Sequence, residues 1–292
     1  MRGSAVSFGA VSVVNAIAAG KGATVGVRLK TEATVDAKEG QKSWDVEMEG
    51  RHAASPLARE TVRTVIASLG KRPEKFGGLI QTRSEIPVGV GLKSSSSSSV
   101  AIAMAAYAAF GMKDFEPSDV LDCSVRASMK TGASITGALD DAASCLFGGL
   151  NLTDNFQGKV LSSRRLEEKL PVLIRIPRSR SRRPAMDLER VRAFRNVVEA
   201  VFEMACNGNY WRAMTLNGLL YSQLLGYEPA ASVRAVELGA LGAGLSGTGP
   251  ALAAVFERSD RAGARRLAGE WKSDGSAVLA TTVNDEGGGV IE

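Results

Sequence analysis

Residues 84–110, SEIPVGVGLKSSSSSSVAIAMAAYAAF, restrict this chain more than any other stretch. A turn-forming run carrying Gly89 and Gly91 leads through six serines into an alanine-rich segment. Ala101, Ala103, Ala105, Ala106, Ala108 and Ala109, with Ile102, Met104 and Phe110, leave no polar face, so the segment reads as a helix buried nearly all round. Residues 78–82, GLIQT, read as the strand leading in. A glycine-rich turn at the mouth of a buried helix has a defined physical use. The first helical amides lack intrahelical partners and sit at the positive end of the dipole, so anions settle there. Gly89 and Gly91 permit close backbone approach and positive φ. Ser94, Ser95 and Ser96 offer hydroxyls to phosphate oxygens or a metal, and Lys93 adds a point charge. The plain alternative is a flexible serine-rich linker. The buried helix that follows without a break argues against it.

The 292 residues suit one large or two medium domains, and 45% hydrophobic content is ample for a core. A net charge of +5 favours anionic small molecules, or weak nucleic-acid contact, without requiring either. His52 is the only histidine, which excludes most His-dependent catalysis and most zinc sites. Cys123, Cys145 and Cys206 lie far apart in apolar contexts with no CxxC spacing, as buried thiols of a reducing, cytoplasmic compartment would. No apolar run reaches membrane-spanning length, so no membrane partner is expected. The first 22 residues faintly imitate a signal peptide. Without prolines or a clean cleavage context they read better as a first strand and loop.

Strands are expected at 5–8, 22–29, 31–37 and 44–49. The small-residue loop 15–22 between the first two carries Asn15 and Lys21, and suits an ordinary connection or a substrate loop equally. Helices are expected at 56–69, with Pro56 in its first turn and Gly70 closing it, and at 117–130. Residues 131–155, TGASITGALDDAASCLFGGLNLTDN, then place Asp140 and Asp141 among small and apolar residues, ahead of a strand at 150–153. Acids in such surroundings have a partner or a task. Helix capping suits Asp140 as well as catalysis does. Asp141, one residue further in, is the better catalytic candidate.

Beyond residue 155 the composition shifts. Residues 173–195 are dense in arginine, with a strand expected at 172–176 and a loop at 178–184. Guanidinium forks suit capture of a carboxylate or phosphate, and a solvated basic loop is the alternative. The aromatic interleaving of a nucleic-acid surface is missing, so no nucleic-acid partner is expected. Three helical segments follow over 187–237, broken at 207–209 and 226–229. Residues 239–250, GALGAGLSGTGP, match G-x-G-x-x-G at Gly242, Gly244 and Gly247. A dinucleotide site needs that pattern after a strand and before a helix, whereas here a helix precedes it and 250–256 reads as a strand. A helix at 261–271 and strands at 278–283 and 290–291 complete the chain.

GVGLKS is not a Walker A loop, since Leu92 stands where the last glycine belongs. HRD and DFG, the marks of protein kinases, are absent from the sequence. Pro87-x-Gly-x-Gly-Leu-Lys-Ser-Ser-Ser resembles instead the ATP loop of the GHMP small-molecule kinases. Leu245-Ser-Gly-Thr-Gly-Pro resembles their C-terminal glycine motif. Asp141, ahead of Gly148-Gly149, matches the position of their catalytic aspartate. Within the family the likeness is greatest to the archaeal-type shikimate kinases. It rests on Gly91-Leu-Lys-Ser-Ser-Ser, Asn15-Ala-Ile-Ala-Ala-Gly-Lys-Gly, Thr136-Gly-Ala-Leu-Asp-Asp-Ala and Gly148-Gly-Leu-Asn-Leu-Thr-Asp-Asn.

The resemblance implies an α+β, two-domain GHMP kinase fold. Residues 1–155 would form a ribosomal-protein-S5-like α/β domain and 156–292 a ferredoxin-like α+β domain, with the site between them. It implies ATP and Mg²⁺, with the phosphates on Pro87, Val88, Gly89, Val90, Gly91, Leu92, Lys93, Ser94, Ser95 and Ser96, and the metal on Ser95. Asp141 would take the proton of the acceptor hydroxyl. Asn15, Lys21, Thr136, Gly137, Asp140, Arg178, Ser246, Gly247, Thr248 and Gly249 would surround the substrate. That substrate would be shikimate, a small anionic carbocycle phosphorylated on its 3-hydroxyl. A homoserine or mevalonate-type kinase, or a non-catalytic nucleotide sensor, would use the same scaffold, and a homodimer is compatible with it. Two features depart from the family. Its magnesium-binding glutamate falls where this chain reads Arg126-Ala-Ser-Met-Lys, with no acid. The basic residue that mevalonate kinases place in the first loop has no counterpart in 9–12. Lys21 and Lys93 are the candidates to supply that charge.

Overall fold

A computed structural model describes residues 1–166, 169–178 and 186–291. Its first sheet has eight strands: β1 (Arg2–Val14), β2 (Lys21–Glu39), β3 (Trp44–Met48), β4 (Arg51–His52), β5 (Phe76–Ser84), β6 (Leu150–Asp154), β7 (Lys159–Arg164) and β12 (Gly289–Ile291). The main path runs β12-β1-β2-β5-β3-β4. β6 joins the first half of β2 on the side opposite β1, and β7 extends β6. All pairs are antiparallel except β3 with β5. The sequence reading divides β2 into two strands because its two halves lie in different surroundings. Residues 22–27 are buried on both faces, whereas 31–37 alternate between buried and half-buried, so the apolar period changes midway.

Four helices, α1 (Pro56–Ser68), α2 (Ser94–Ala109), α3 (Pro117–Lys130) and α4 (Leu139–Phe147), cluster beside this sheet. α2 lies on β1 and β2 and is ringed by the other three, which accounts for its lack of a polar face. The close fit is visible at Gly3, where a Cβ would come within 2.4 Å of the Ala105 carbonyl oxygen. Ser55 caps α1 by accepting the Ala58 amide at 3.2 Å, Pro56 opens it, and Gly70 leaves it at φ +69°.

The remaining chain builds an antiparallel four-stranded sheet, ordered β11 (Ala277–Thr282), β8 (Pro171–Ile176), β10 (Leu252–Val255), β9 (Gly242–Leu245). Its helices are α5 (Leu188–Ala193), α6 (Arg195–Cys206), α7 (Tyr210–Leu224), α8 (Ala230–Glu237) and α9 (Arg261–Ser273). A shared core joins the two sheets. Val11, Val25 and Val27 of the β1–β2 hairpin pack with Val172, Phe202, Met214 and Tyr221. β7 and β12, both beyond residue 155, complete the first sheet. No helix among the described residues is long and apolar enough to cross a membrane.

Four local expectations change. The first of the three expected helical segments is two helices, divided at Phe194. The glycine stretch at 239–250 contains a strand, β9, and the reason is packing. α7 lies so close to β9 that a Cβ on Gly218 would sit 2.2 Å from the Gly244 Cα. β4 and β7 were not expected: β4 is two residues long, and β7 is exposed along nearly its whole length, without apolar alternation. Cys206 is half-buried, while Cys123 and Cys145 are buried, and all three are free thiols.

Candidate active site

A cavity of about 450 Å³ opens between the two halves. Asn15, Gly89, Gly91, Lys93, Ser94, Ser95, Ser96, Thr136, Asp140, Asp141, Gly247 and Thr248 all line it, joined by Met186, Leu225 and Tyr227. The three glycine-rich or acidic motifs, separated along the chain, thus share one wall. Two helices start there. The chain enters α2 through Lys93 at φ +64° and α4 through Ala138 at φ +54°, and neither helix has a side-chain cap. Neither Asp140 nor Asp141 is the cap that its position at a helix start allowed, because both lie inside the first turn of α4.

Other expected residues stand behind or beside the wall. Val90 and Leu92 point into the core, at 1% exposure each, and Val88 is exposed. Pro87 is half-buried and off the cavity. Ser246 is buried and ties the loops together. Its hydroxyl donates to the Gly91 carbonyl at 2.8 Å and accepts the Ser12 amide at 3.2 Å. The Gly247 amide donates to Ser12 Oγ, and Asn15 Nδ2 donates to the Gly247 carbonyl, both at 3.0 Å. Gly249 backs onto Leu245 and Tyr227, and Gly137 lies beneath Val125 and Met129.

Lys21 does not reach the cavity wall. Its ammonium pairs with Asp154 at 2.5 Å. Burial alone would raise the Asp154 carboxyl, but the Lys21 ammonium and the Gln157 amide hold it below its ordinary value. Arg178 is exposed and off the wall, while Arg175 is paired with Asp274 and Arg195 with Glu199. Arg180, Arg182 and Arg183 lie outside the described residues.

The two acids of α4 have different partners. Asp141 Oδ1 lies 2.8 Å from Lys93 Nζ, with both side chains largely buried, at 17% and 7% exposure. The contact is a close ion pair, off the direction of a good hydrogen bond. Burial opposes the Lys93 charge most strongly, but Asp141 and Asp140 outweigh it, so its pKa rises and the ammonium persists. Asp140, at 5% exposure, accepts a hydrogen bond from Asn155 Nδ2 at 2.8 Å. Its pKa is pushed up to about 7, by burial first and then by the Asp141 charge, with Lys93 pulling the other way.

Asn155, the last residue of the 148–155 motif, was given no role by the sequence reading, though it is the hub of this corner. It also donates to Thr136 Oγ1 at 3.2 Å and accepts from Thr153 Oγ1 at 2.7 Å and the Asp140 amide at 3.3 Å. Nothing in the TDN spacing marks it. Gly22 makes room for Asp140, since a Cβ there would lie 2.6 Å from its Oδ2. α7 holds the Asn15 turn in a way the sequence also hides. Tyr221 Oη donates to the Asn15 carbonyl at 3.2 Å, and Asn217 Oδ1 accepts the Asn15 amide at 2.9 Å.

Asp140 makes a stability prediction. Its carboxyl titrates near 3.8 when unfolded and near 7 when folded, so between those values the folded chain binds more protons. Its contribution is therefore fully present below pH ~4 and is lost as pH rises through about 7, with a slope of up to ~1.4 kcal/mol per pH unit. Urea unfolding from pH 4.5 to 8 should show that downward slope added to the wild-type profile and missing from Asp140→Asn. Parallel profiles would refute it.

Oxygen donors dominate the polar wall, in the two carboxylates and the serine hydroxyls, and these suit a hard cation such as Mg²⁺. Among the described residues, no group of three His, Cys, Asp or Glu side chains is placed to hold a metal without help.

Residues 56–149 match the family model of the GHMP kinases N terminal domain, and residues 212–276 that of GHMP kinases C terminal. The chain is 39% identical over 287 residues to the shikimate kinase of Methanothrix thermoacetophila, covering 98% of this chain and 95% of the relative. It is 35% identical over 289 residues to the shikimate kinase of Pyrococcus furiosus, covering 97% and 100%. The Methanococcus jannaschii mevalonate kinase shares the fold with a TM-score of 0.71 at 14% identity, over 97% of this chain and 98% of that one. MDDEF in complex with MVAPP, AMPPCP and magnesium shares it with a TM-score of 0.77 at 14% identity, over 100% and 99%. With both halves matched and near-full-length relatives well above 30% identity, the chain belongs to the GHMP kinase family.

Proposed function

We propose that this chain transfers the γ-phosphoryl group of ATP to the 3-hydroxyl of shikimate. One observation carries the proposal: the uncapped start of α2 and an acid facing Lys93 open onto the same cavity. Relatives named shikimate kinase, matched along nearly their whole length, support this substrate over homoserine or mevalonate. The AMPPCP and magnesium bound to MDDEF support a nucleotide with Mg²⁺ on this fold.

Phosphoryl transfer needs positioning and charge neutralisation more than covalent help. Gly89, Gly91 and Ser94–Ser96 hold the phosphates at the helix mouth, backed by Val90, Leu92 and Ser246. Ser95 would hold Mg²⁺, which would supply charge neutralisation for the phosphates. Asp141 orients the acceptor hydroxyl and takes its proton. Asn15, Thr136, Asp140, Gly247 and Thr248 surround the substrate, with Gly137 and Gly249 shaping the wall from behind. Lys21 and Arg178 stand outside this set. The division at 155/156 into two domains belongs to the same proposal.

A second reading gives the proton to Asp140. The observation favouring it is that Asp140 lines the same cavity, where burial and the neighbouring Asp141 push its carboxyl up to about 7, a value suited to a general base. Coupled ADP release tests the function. Shikimate should exceed homoserine and mevalonate by at least ~100-fold in kcat/KM, as expected where buried polar groups read a substrate. Turnover of either competitor but not shikimate would replace the substrate. ATP binding without ADP release from any of them would make the chain a sensor.

A further inference from the structure

Lys93 stands out among the site residues. It is a non-glycine residue in the left-handed region, a conformation that crowds its Cβ against the backbone. It also carries a buried charge, which is tolerated only when paired. Such an outlier persists where surrounding structure requires it. The required feature here is reach. From the turn before α2, Nζ meets Asp141 on α4 at 2.8 Å. It also lies 3.2 Å from where a Gly247 Cβ would stand, so the ammonium borders the closing glycine run. One side chain of the phosphate loop therefore pairs with the acidic motif and borders the closing glycine run.

We propose that Lys93 is a positioning residue that acts through Asp141, holding its carboxylate aimed into the cavity from the phosphate loop. This rests on Asp141 being the acid–base group, as proposed above.

A double-mutant cycle with Lys93→Met and Asp141→Asn tests it, with Lys93→Gln and Lys93→Arg alongside so that one unstable variant does not decide the matter. Residues acting as a unit are strongly non-additive. Lys93→Met should lower kcat at least ~30-fold with the KM for ATP changed less than about threefold, and Lys93→Arg should recover at least ~fivefold of that loss. In the Asp141→Asn background, Lys93→Met should change kcat by less than about threefold. Multiplicative losses, or a defect confined to the KM for ATP, would show that Lys93 acts on the nucleotide and overturn the proposal. A harmless Lys93→Met beside an inactive Asp141→Asn would overturn this proposal alone. An active Asp141→Asn would remove both this proposal and the acid–base assignment beneath it.

Discussion

Asp141→Asn should fold, bind ADP and lose about 10³-fold in kcat, the scale of one positioned acid–base group. The substitution keeps shape and removes only the charge and the ability to accept a proton. It leaves Lys93 facing an amide in place of a carboxylate, which weakens a largely buried pair but disturbs no core packing. Calorimetry with ADP and a thermal melt separate loss of chemistry from loss of structure. A kcat within about threefold of wild type would show that Asp141 is not the base. Asp140→Asn then becomes informative. If Asp140 carries the proton, the acidic limb of the wild-type kcat/KM profile should lie near pH 7 and vanish in that variant.

Gly91→Ala is expected to have the largest effect on the phosphate loop. Gly91 sits at φ +92°, and a Cβ would lie 2.1 Å from the Ser246 carbonyl oxygen and 3.2 Å from the Gly249 amide. Backbone on both sides cannot yield without parting the loop from the 246–249 turn. The control is Gly89→Ala, at φ +78° with open space around its Cβ. It should cost only the ~1–2 kcal/mol of left-handed backbone. Gly91→Ala should exceed that by at least about 2 kcal/mol in urea unfolding and weaken ADP binding more than about tenfold. Equal effects from the two variants would mean that this contact does not hold the site together.

Much of this was legible in the chain. The buried helix behind the serines, Pro56 and Gly70 around α1, and the α3 boundaries follow from local rules that the fold leaves in force. Local rules mislead where surroundings change within one element, as along β2, or where close packing sets the residue type, as at Gly218 against Gly244. In the site, the phosphate loop and the acids were visible because their types are unusual for their neighbourhoods. Asn155, Tyr221 and Asn217 were hidden because a single amide or phenol in sequence resembles many others. Lys21 looked free for substrate only because its partner, Asp154, lies on another strand.

The sequence alone determined which segments carry chemistry: a glycine and serine turn before an apolar helix, two adjacent acids, and a closing glycine run. These depend on near neighbours, where spacing and side-chain type act directly. Only the tertiary structure decided that Lys93 faces Asp141, that Asn155 holds Asp140, and that the arginines at 175 and 195 are occupied elsewhere. Those outcomes are distances across space between groups on separate elements. They are set by how the two sheets share one core, which no local pattern encodes.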